Sequence, residues 1–152
     1  MVEPGRMITG DAGWLVTKVQ VIKDGYRRFA GVDASACDLM RPMMYDAYHH
    51  ISVLGKDVNQ NTETVSVVGR IMENNDYFAR DRDLPPIDIG DVIVMHTTGA
   101  HGYVMGYNYN TRPRSAEYLL QSNGSFEHIR RCLLYTSPSP RDSMTSRMPS
   151  SA

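Results

Sequence analysis

Cysteine is scarce in this chain: Cys37 and Cys132 are the only two. They form neither a disulfide framework nor a metal-ligand spacing, so a reduced, cytoplasmic setting is expected. Net charge is almost absent, −1 from 16 basic and 17 acidic residues, which removes the electrostatic case for a nucleic-acid partner. No apolar run approaches the roughly 20 residues that span a bilayer, so no membrane partner is expected. The N-terminus lacks the pattern of a signal peptide, and no internal repeat is visible. Lysine is rare as well. Lys18, Lys23 and Lys56 are the whole supply, all in strand or turn contexts.

What is present is enough chain, 152 residues, for one domain with a real core. Trp14–Ile22 alternates apolar and polar positions as a strand does, and Lys23-Asp24-Gly25 reads as a hairpin turn into Arg28–Asp33. Tyr48–Leu54, Glu63–Ile71 and Val92–His96 read as further strands, with a polar loop over Gly55–Thr62. Tyr77–Arg82 carries mixed charge and reads as a solvated segment. Asn123-Gly124, between Ala116–Gln121 and Ser125–Arg130, signals a closing hairpin. The pattern predicts a mainly β fold of about eight short strands, a barrel or sandwich, with one or two helical turns near residues 38–47 and 76–80. Pro42 disfavours helix at Arg41.

Three stretches carry more chemistry than a core needs. Glu3-Pro4-Gly5-Arg6 is either a solvated turn or a backbone cradle for an anion, with Arg6 adding charge. Met72–Asp76 is either an Asn-rich turn or a ligand loop at a strand end. Thr97–Glu117 packs Gly, Asn, Tyr and Arg densely. It is either a tyrosine-rich hairpin with a tight turn at Tyr109–Pro113 or a loop that meets a ligand and a partner surface. Beyond Cys132, the Ser/Pro/Arg/Thr composition has almost nothing to bury and predicts disorder.

Seven motifs then line up in order: EPGR at 3–6, VDAS at 32–35, DLMRPMMYDAYH at 38–49, VVGRIMENND at 67–76, FARDRDLP at 78–85, IGD at 89–91 and GAHGYVMGYNYNTRPRSAE at 99–117. Together they resemble the C-terminal part of the diaminopimelate decarboxylases. These are pyridoxal-phosphate enzymes of the group that also holds the ornithine and arginine decarboxylases. The resemblance implies a C-terminal β domain over residues 13–131, preceded at 1–12 by the end of an α/β barrel that is otherwise absent. Residues 132–152 depart from the family and look like a non-native, adapter-like tail.

The resemblance also implies roles. Glu3 matches the carboxylate facing the pyridine nitrogen of pyridoxal 5'-phosphate, and Glu3–Arg6 matches the phosphate-contacting loop. Arg6 and Arg41 match arginines that hold substrate carboxylate, Tyr45 a substrate-contacting tyrosine, and Glu73 the acid for the substrate's distal ammonium. A distal end bearing both an amine and a carboxylate needs both charge signs, which Arg41 and Glu73 supply. That favours diaminopimelate over a simple diamine precursor. Met72 stands where the family places its proton-donating Cys, and a thioether has no proton to give. His101 stands where many members have Tyr facing cofactor and substrate; it can still donate a hydrogen bond. The Schiff-base lysine has no counterpart among the matched motifs, so the chain alone is expected to be inactive. A homodimer with shared active sites is implied. The alternatives are a related basic amino-acid decarboxylase and a non-catalytic β-domain binding module.

Overall fold

The computed structural model describes residues 4–57 and 61–132. The expectations for Glu3 and for residues 133–152 lie outside them, as does part of the Gly55–Thr62 loop. Residues 1–110 and 111–152 form two units, each described by itself.

In the first unit a six-stranded sheet runs in the order β3-β6-β1-β2-β4-β5. Its strands are β1 (Leu15–Asp24), β2 (Arg28–Val32), β3 (Ile51–Val53), β4 (Glu63–Val68), β5 (Tyr77–Leu84) and β6 (Val92–Met95). β1 is long enough to serve two partners. Leu15–Lys18 pairs with β6, and from Val19 onward the strand pairs with β2, with an irregularity between Val19 and Val21. Such a register break bends a strand and helps a sheet curl. The edge strands β3 and β5 approach each other, so the sheet nearly closes. Its inside is filled by Val19, Ala30, Val32, Leu39, Ile51, Val65, Val67, Phe78, Ile87, Ile93 and Met95, all at most 2% exposed. Burial alternates with period 2 over Leu15–Gln20 of β1, whereas in β4 three successive residues, Val65, Ser66 and Val67, are buried.

β2 and β4 pair in parallel. A parallel pair cannot be joined by a tight turn and requires a long crossover. Here residues 33–62 form that crossover, and they hold α2 (Arg41–Tyr45) and β3. The crossover is tied back to β1 where Thr17 Oγ1 donates to Asp33 and accepts the Ala34 N–H.

Four local expectations are corrected. Tyr77–Arg82 is neither a solvated segment nor helical; it lies in β5, because Phe78, Ala79 and Leu84 are buried while its charges find partners. Arg27 pairs with Asp81, Thr64 donates to Asp83, and Arg82 donates to the His49 carbonyl. Arg41 does start a helix: Pro42 sits in the first turn, where its missing N–H costs nothing. Gly5–Thr9 is a short helix, α1, running into a 3-10 turn at Gly10–Ala12 rather than a bare turn. Gly102–Asn110 contains a 3-10 turn at Tyr103–Met105 and no strand, so the hairpin alternative for Thr97–Glu117 is not what forms.

In the second unit, β7 (Glu117–Leu120) and β8 (Phe126–Arg130) make the hairpin read from Asn123-Gly124. Gly124 takes φ +83°, and Asn123 Oδ1 accepts the Ser125 N–H. Tyr118 stacks on His128. Tyr118, Leu119, Leu120, Phe126 and Ile129 all remain exposed.

Candidate active site

Arg41 opens α2 and points its guanidinium at a buried histidine. Arg41 Nη1 lies 3.1 Å from His49 Nε2, and His49 Nδ1 lies 2.9 Å from the His96 carbonyl. A carbonyl only accepts and a guanidinium only donates. The His49 proton therefore sits on Nδ1, and Nε2 offers its lone pair to Arg41. His49 is 1% exposed. Burial lowers its pKa, and the charges of Arg6 and Arg82 act in the same direction, against the hydrogen bond to His96. Arg82 donates 2.6 Å to the His49 carbonyl and lies over the Tyr48 ring at 4.4 Å. Among the described residues, none of Arg6, Arg41 and Arg82 forms an ion pair. Arg6 Nη1 is buried with no hydrogen-bond partner among those residues. A buried guanidinium nitrogen left unsatisfied is costly. An anionic oxygen is the group that satisfies it.

A backbone zipper fixes where Arg6 stands. The Thr98 N–H donates to the Gly13 carbonyl and the Gly99 N–H to the Gly10 carbonyl, both at 2.9 Å. This joins the segment of α1 to the loop of His101. His101 is exposed and holds φ +59°, the left-handed region. Tyr45, the last residue of α2, is 60% exposed. The next residue, Asp46, ends the helix at φ +50°.

The Met72–Glu73 loop is built on Asp76. This carboxylate accepts the Ala36 N–H at 2.7 Å and the Ile71 N–H at 3.0 Å, while the Asp76 carbonyl accepts the Gly69 N–H at 2.8 Å. A Cβ at Gly69 would stand 2.2 Å from the carboxylate, so only glycine fits. The far side of the loop is pinned by Tyr109 O–H to the Met72 carbonyl, 3.2 Å, and by the Met72 N–H to Asn110 Oδ1, 3.1 Å. Met72 is left 83% exposed. The Glu73 carboxylate accepts the Asn75 N–H and faces a groove of about 440 Å³ walled by Val21, Phe29, Ile71 and Tyr77. Beneath, the Tyr107 N–H donates to the Cys37 carbonyl, and burial pushes the Tyr107 hydroxyl up to about 12. Cys37 is 2% exposed with its thiol pushed up by burial, so it offers no substitute for a proton donor at Met72.

The structure thus gathers Arg6 and Arg41 about His49, and holds Met72, next to Glu73, against Tyr109 and Asn110. No hydrogen bond or ion pair among the described residues joins Arg41 to Glu73. His49, Arg82 and Asp76 are the participants that motif reading did not single out, although all three lie inside the quoted motifs. Lys56, the one lysine with partners among the described side chains, is held by Asp88 and Asp91. No described helix is long and apolar enough to cross a membrane.

Asp76 gives a prediction with a sign. Burial raises its pKa, against the two N–H donors. A raised folded pKa contributes stability below the unfolded value, about 3.9, that is lost as pH rises through the folded value. Asp76→Asn leaves one N–H facing an amide donor and should cost about 1–3 kcal/mol. The gap to wild type should narrow as pH rises from about 4 through the raised pKa. Urea unfolding at several pH values checks both; a gap independent of pH contradicts the assignment.

The described residues thus form a nearly closed six-stranded sheet with Arg6 and Arg41 gathered about His49 and Glu73 on a separate loop. Residues 7–99 match the family model described as the pyridoxal-dependent decarboxylase C-terminal sheet domain, and the chain belongs to that family. Its relatives are specific. The diaminopimelate decarboxylase of Methanothermobacter thermautotrophicus is 49% identical over 119 residues, covering 78% of this chain and 28% of that protein. That of Archaeoglobus fulgidus is 45% identical over 121 residues, covering 80% and 29%. The crystal structure of diaminopimelate decarboxylase from M. jannaschii in co-complex with L-lysine superposes with a TM-score of 0.79 at 34% identity, covering 95% of this chain and 32% of that one. The chain therefore spans under a third of the length of these relatives.

Proposed function

We propose that this chain is the sheet-domain part of a diaminopimelate decarboxylase, which releases CO2 from meso-2,6-diaminopimelate and leaves L-lysine. The observation that carries the reading is the pair Arg6 and Arg41, which no acid among the described residues pairs, set about one neutral histidine, with the buried Arg6 Nη1 lacking a hydrogen-bond partner among those residues. This is a receiver for anionic oxygens, as a substrate carboxylate and a cofactor phosphate require. Pyridoxal phosphate, when bound, supplies the conjugated ring that takes up the electron pair left by departing CO2.

This chain's residues would hold and orient. Glu3 would face the pyridine nitrogen, and Pro4, Gly5 and Arg6 would contact the phosphate. Arg41 would clamp the distal carboxylate, with Tyr45 beside it, and His101 would donate a hydrogen bond to cofactor or substrate. Glu73 would take the distal ammonium. The lack of a hydrogen bond or ion pair between Arg41 and Glu73 supports an active site shared between two copies, in which the loop of one copy serves the arginine of the other. Residues 1–12 would belong to the end of the barrel and 13–131 to the sheet domain. The exposed Met72 supports a second reading, a domain that binds without turning over.

The test is a graft of residues 4–132 onto the barrel of the M. thermautotrophicus relative. The graft should release CO2 from meso-diaminopimelate in preference to ornithine, lysine and arginine. Arg41→Met should raise KM for diaminopimelate by about 10–100-fold, the worth of a charge-assisted hydrogen bond. A graft that prefers ornithine sinks the reading. The 152-residue chain alone should release no CO2.

A further inference from the structure

We infer that His49 is a positioning residue for Arg41: the neutral imidazole, protonated at Nδ1, fixes the guanidinium through Nε2, and a second proton releases it. The inference rests on the reading of Arg41 as a carboxylate clamp, and it adds a condition for that clamp to be formed. The geometry runs as a chain of three groups. The His96 carbonyl at the end of β6 fixes the Nδ1 proton at 2.9 Å, which leaves Nε2 as the acceptor for Arg41 Nη1 at 3.1 Å. His49 is 1% exposed, so neither nitrogen can exchange its partner for bulk water. The backbone of His49 is itself held, because Arg82 of β5 donates to its carbonyl at 2.6 Å.

The groups facing His49 from each packed element are all basic or neutral. Arg6 comes from α1, Arg41 from α2, Arg82 from β5 and His96 from the end of β6. The His96 ring is turned away, 2.8 Å from Ser52 Oγ and 5.1 Å from the neighbouring His50 ring. No carboxylate among the described residues is hydrogen-bonded to the His49 ring. A proton on Nε2 would set a donor against a donor and add a fourth positive charge. The contact then breaks and the guanidinium turns away. His49 thus holds Arg41 at neutral pH without neutralising it. A carboxylate in the same place would hold the arginine equally well, but would compete with the substrate's carboxylate for it.

The test is nitrogen-15 NMR of the full 152-residue chain, with no substrate or cofactor present. Long-range proton–nitrogen spectra at pH 7.5 should show His49 as the Nδ1–H tautomer. On acidification the Arg41 side-chain Nε–H resonance should move with the His49 midpoint. Arg41→Met should raise the His49 midpoint by about one pH unit, the equivalent of one lost charge-assisted hydrogen bond. His49→Phe should abolish the pH dependence of the Arg41 resonance. His49→Gln, whose amide oxygen can accept from Arg41, should keep that resonance ordered but flat with pH.

An Nε2–H tautomer at pH 7.5, or an Arg41 resonance that ignores the His49 titration, overturns the proposal. Should His49→Phe fail to fold, the wild-type titration and Arg41→Met decide it. These readouts contain no substrate. A graft with the wrong substrate preference would sink the diaminopimelate reading while leaving them intact, and a failed co-titration would do the reverse.

Discussion

Gly99→Ala is expected to destabilise the first unit by at least about 3 kcal/mol, the upper end of the usual cost of overpacking. An ideal Cβ at Gly99 would stand 2.0 Å from the Thr9 carbonyl oxygen, 2.9 Å from Gly13 N and 3.1 Å from Gly10 O. All three are backbone atoms, so no side-chain rotation relieves the clash. The two strips of chain must separate, and the Gly99-to-Gly10 and Thr98-to-Gly13 hydrogen bonds break with them. The segment bearing Arg6 then parts from the loop bearing His101. The matched control is Gly5→Ala, where nothing lies within 4 Å of the new methyl. Gly5 is helical, so alanine there should be neutral or stabilising by up to about 1 kcal/mol. Chemical unfolding of the two variants decides the matter. A Gly99→Ala loss below about 1 kcal/mol would mean that the zipper does not form as described.

Met72→Cys, made in the graft, should raise turnover of diaminopimelate by about 100-fold or more, the usual range for a positioned proton donor. Met72 Sδ carries no proton, whereas a thiol does. The loop around it is shaped by backbone contacts to Asn110 and Tyr109 and by Asp76, not by the methionine side chain. Because Met72 is 83% exposed, the substitution should shift stability by no more than about 0.5 kcal/mol. The gain should appear in kcat with KM little changed, because binding would fall to Arg41 and Glu73. Equal turnover with Met and Cys would show that the proton comes from another group, and the position would lose its assigned role.

Much of the sheet was legible because its alternation is local. In Leu15–Gln20 the inward Thr17 and Val19 alternate with exposed neighbours, and Asn123-Gly124 marks a turn by its own chemistry. β5 was not legible. Its run Ala-Arg-Asp-Arg-Asp looks like a solvated face until the sheet curls. Arg27, Thr64 and Tyr48 then become its partners from elsewhere in the chain. α2 was foreseen as a helical turn. Its start at Arg41 was not, because the rule about residues before proline yields in a first turn. At the site, Arg6, Arg41 and Glu73 stood out because charge is conspicuous and their motifs are specific. His49 and Asp76 did not, since their importance lies in what they touch: the His96 carbonyl just past β6, and two N–H groups on separate loops. Motif reading names the residues that would meet a ligand more readily than those that hold them in place.

The parallel pairing of β2 with β4 also orders events in time. Phe29 meets Ser66 only after the whole intervening chain has closed into a loop, and loop closure must precede the contacts that reward it. Arg41 and His49 ride on that loop, and His49 finds the carbonyl of His96, just past β6 and 47 residues later. The Arg41–His49 contact is therefore a late product of folding. It is assembled after the β1–β2 hairpin and among the first features lost when the crossover opens. Amide exchange through partial opening should release the Met44 and Ala47 N–H groups, which bond only within α2 and its end, well before those of Val65 and Val67 in the core.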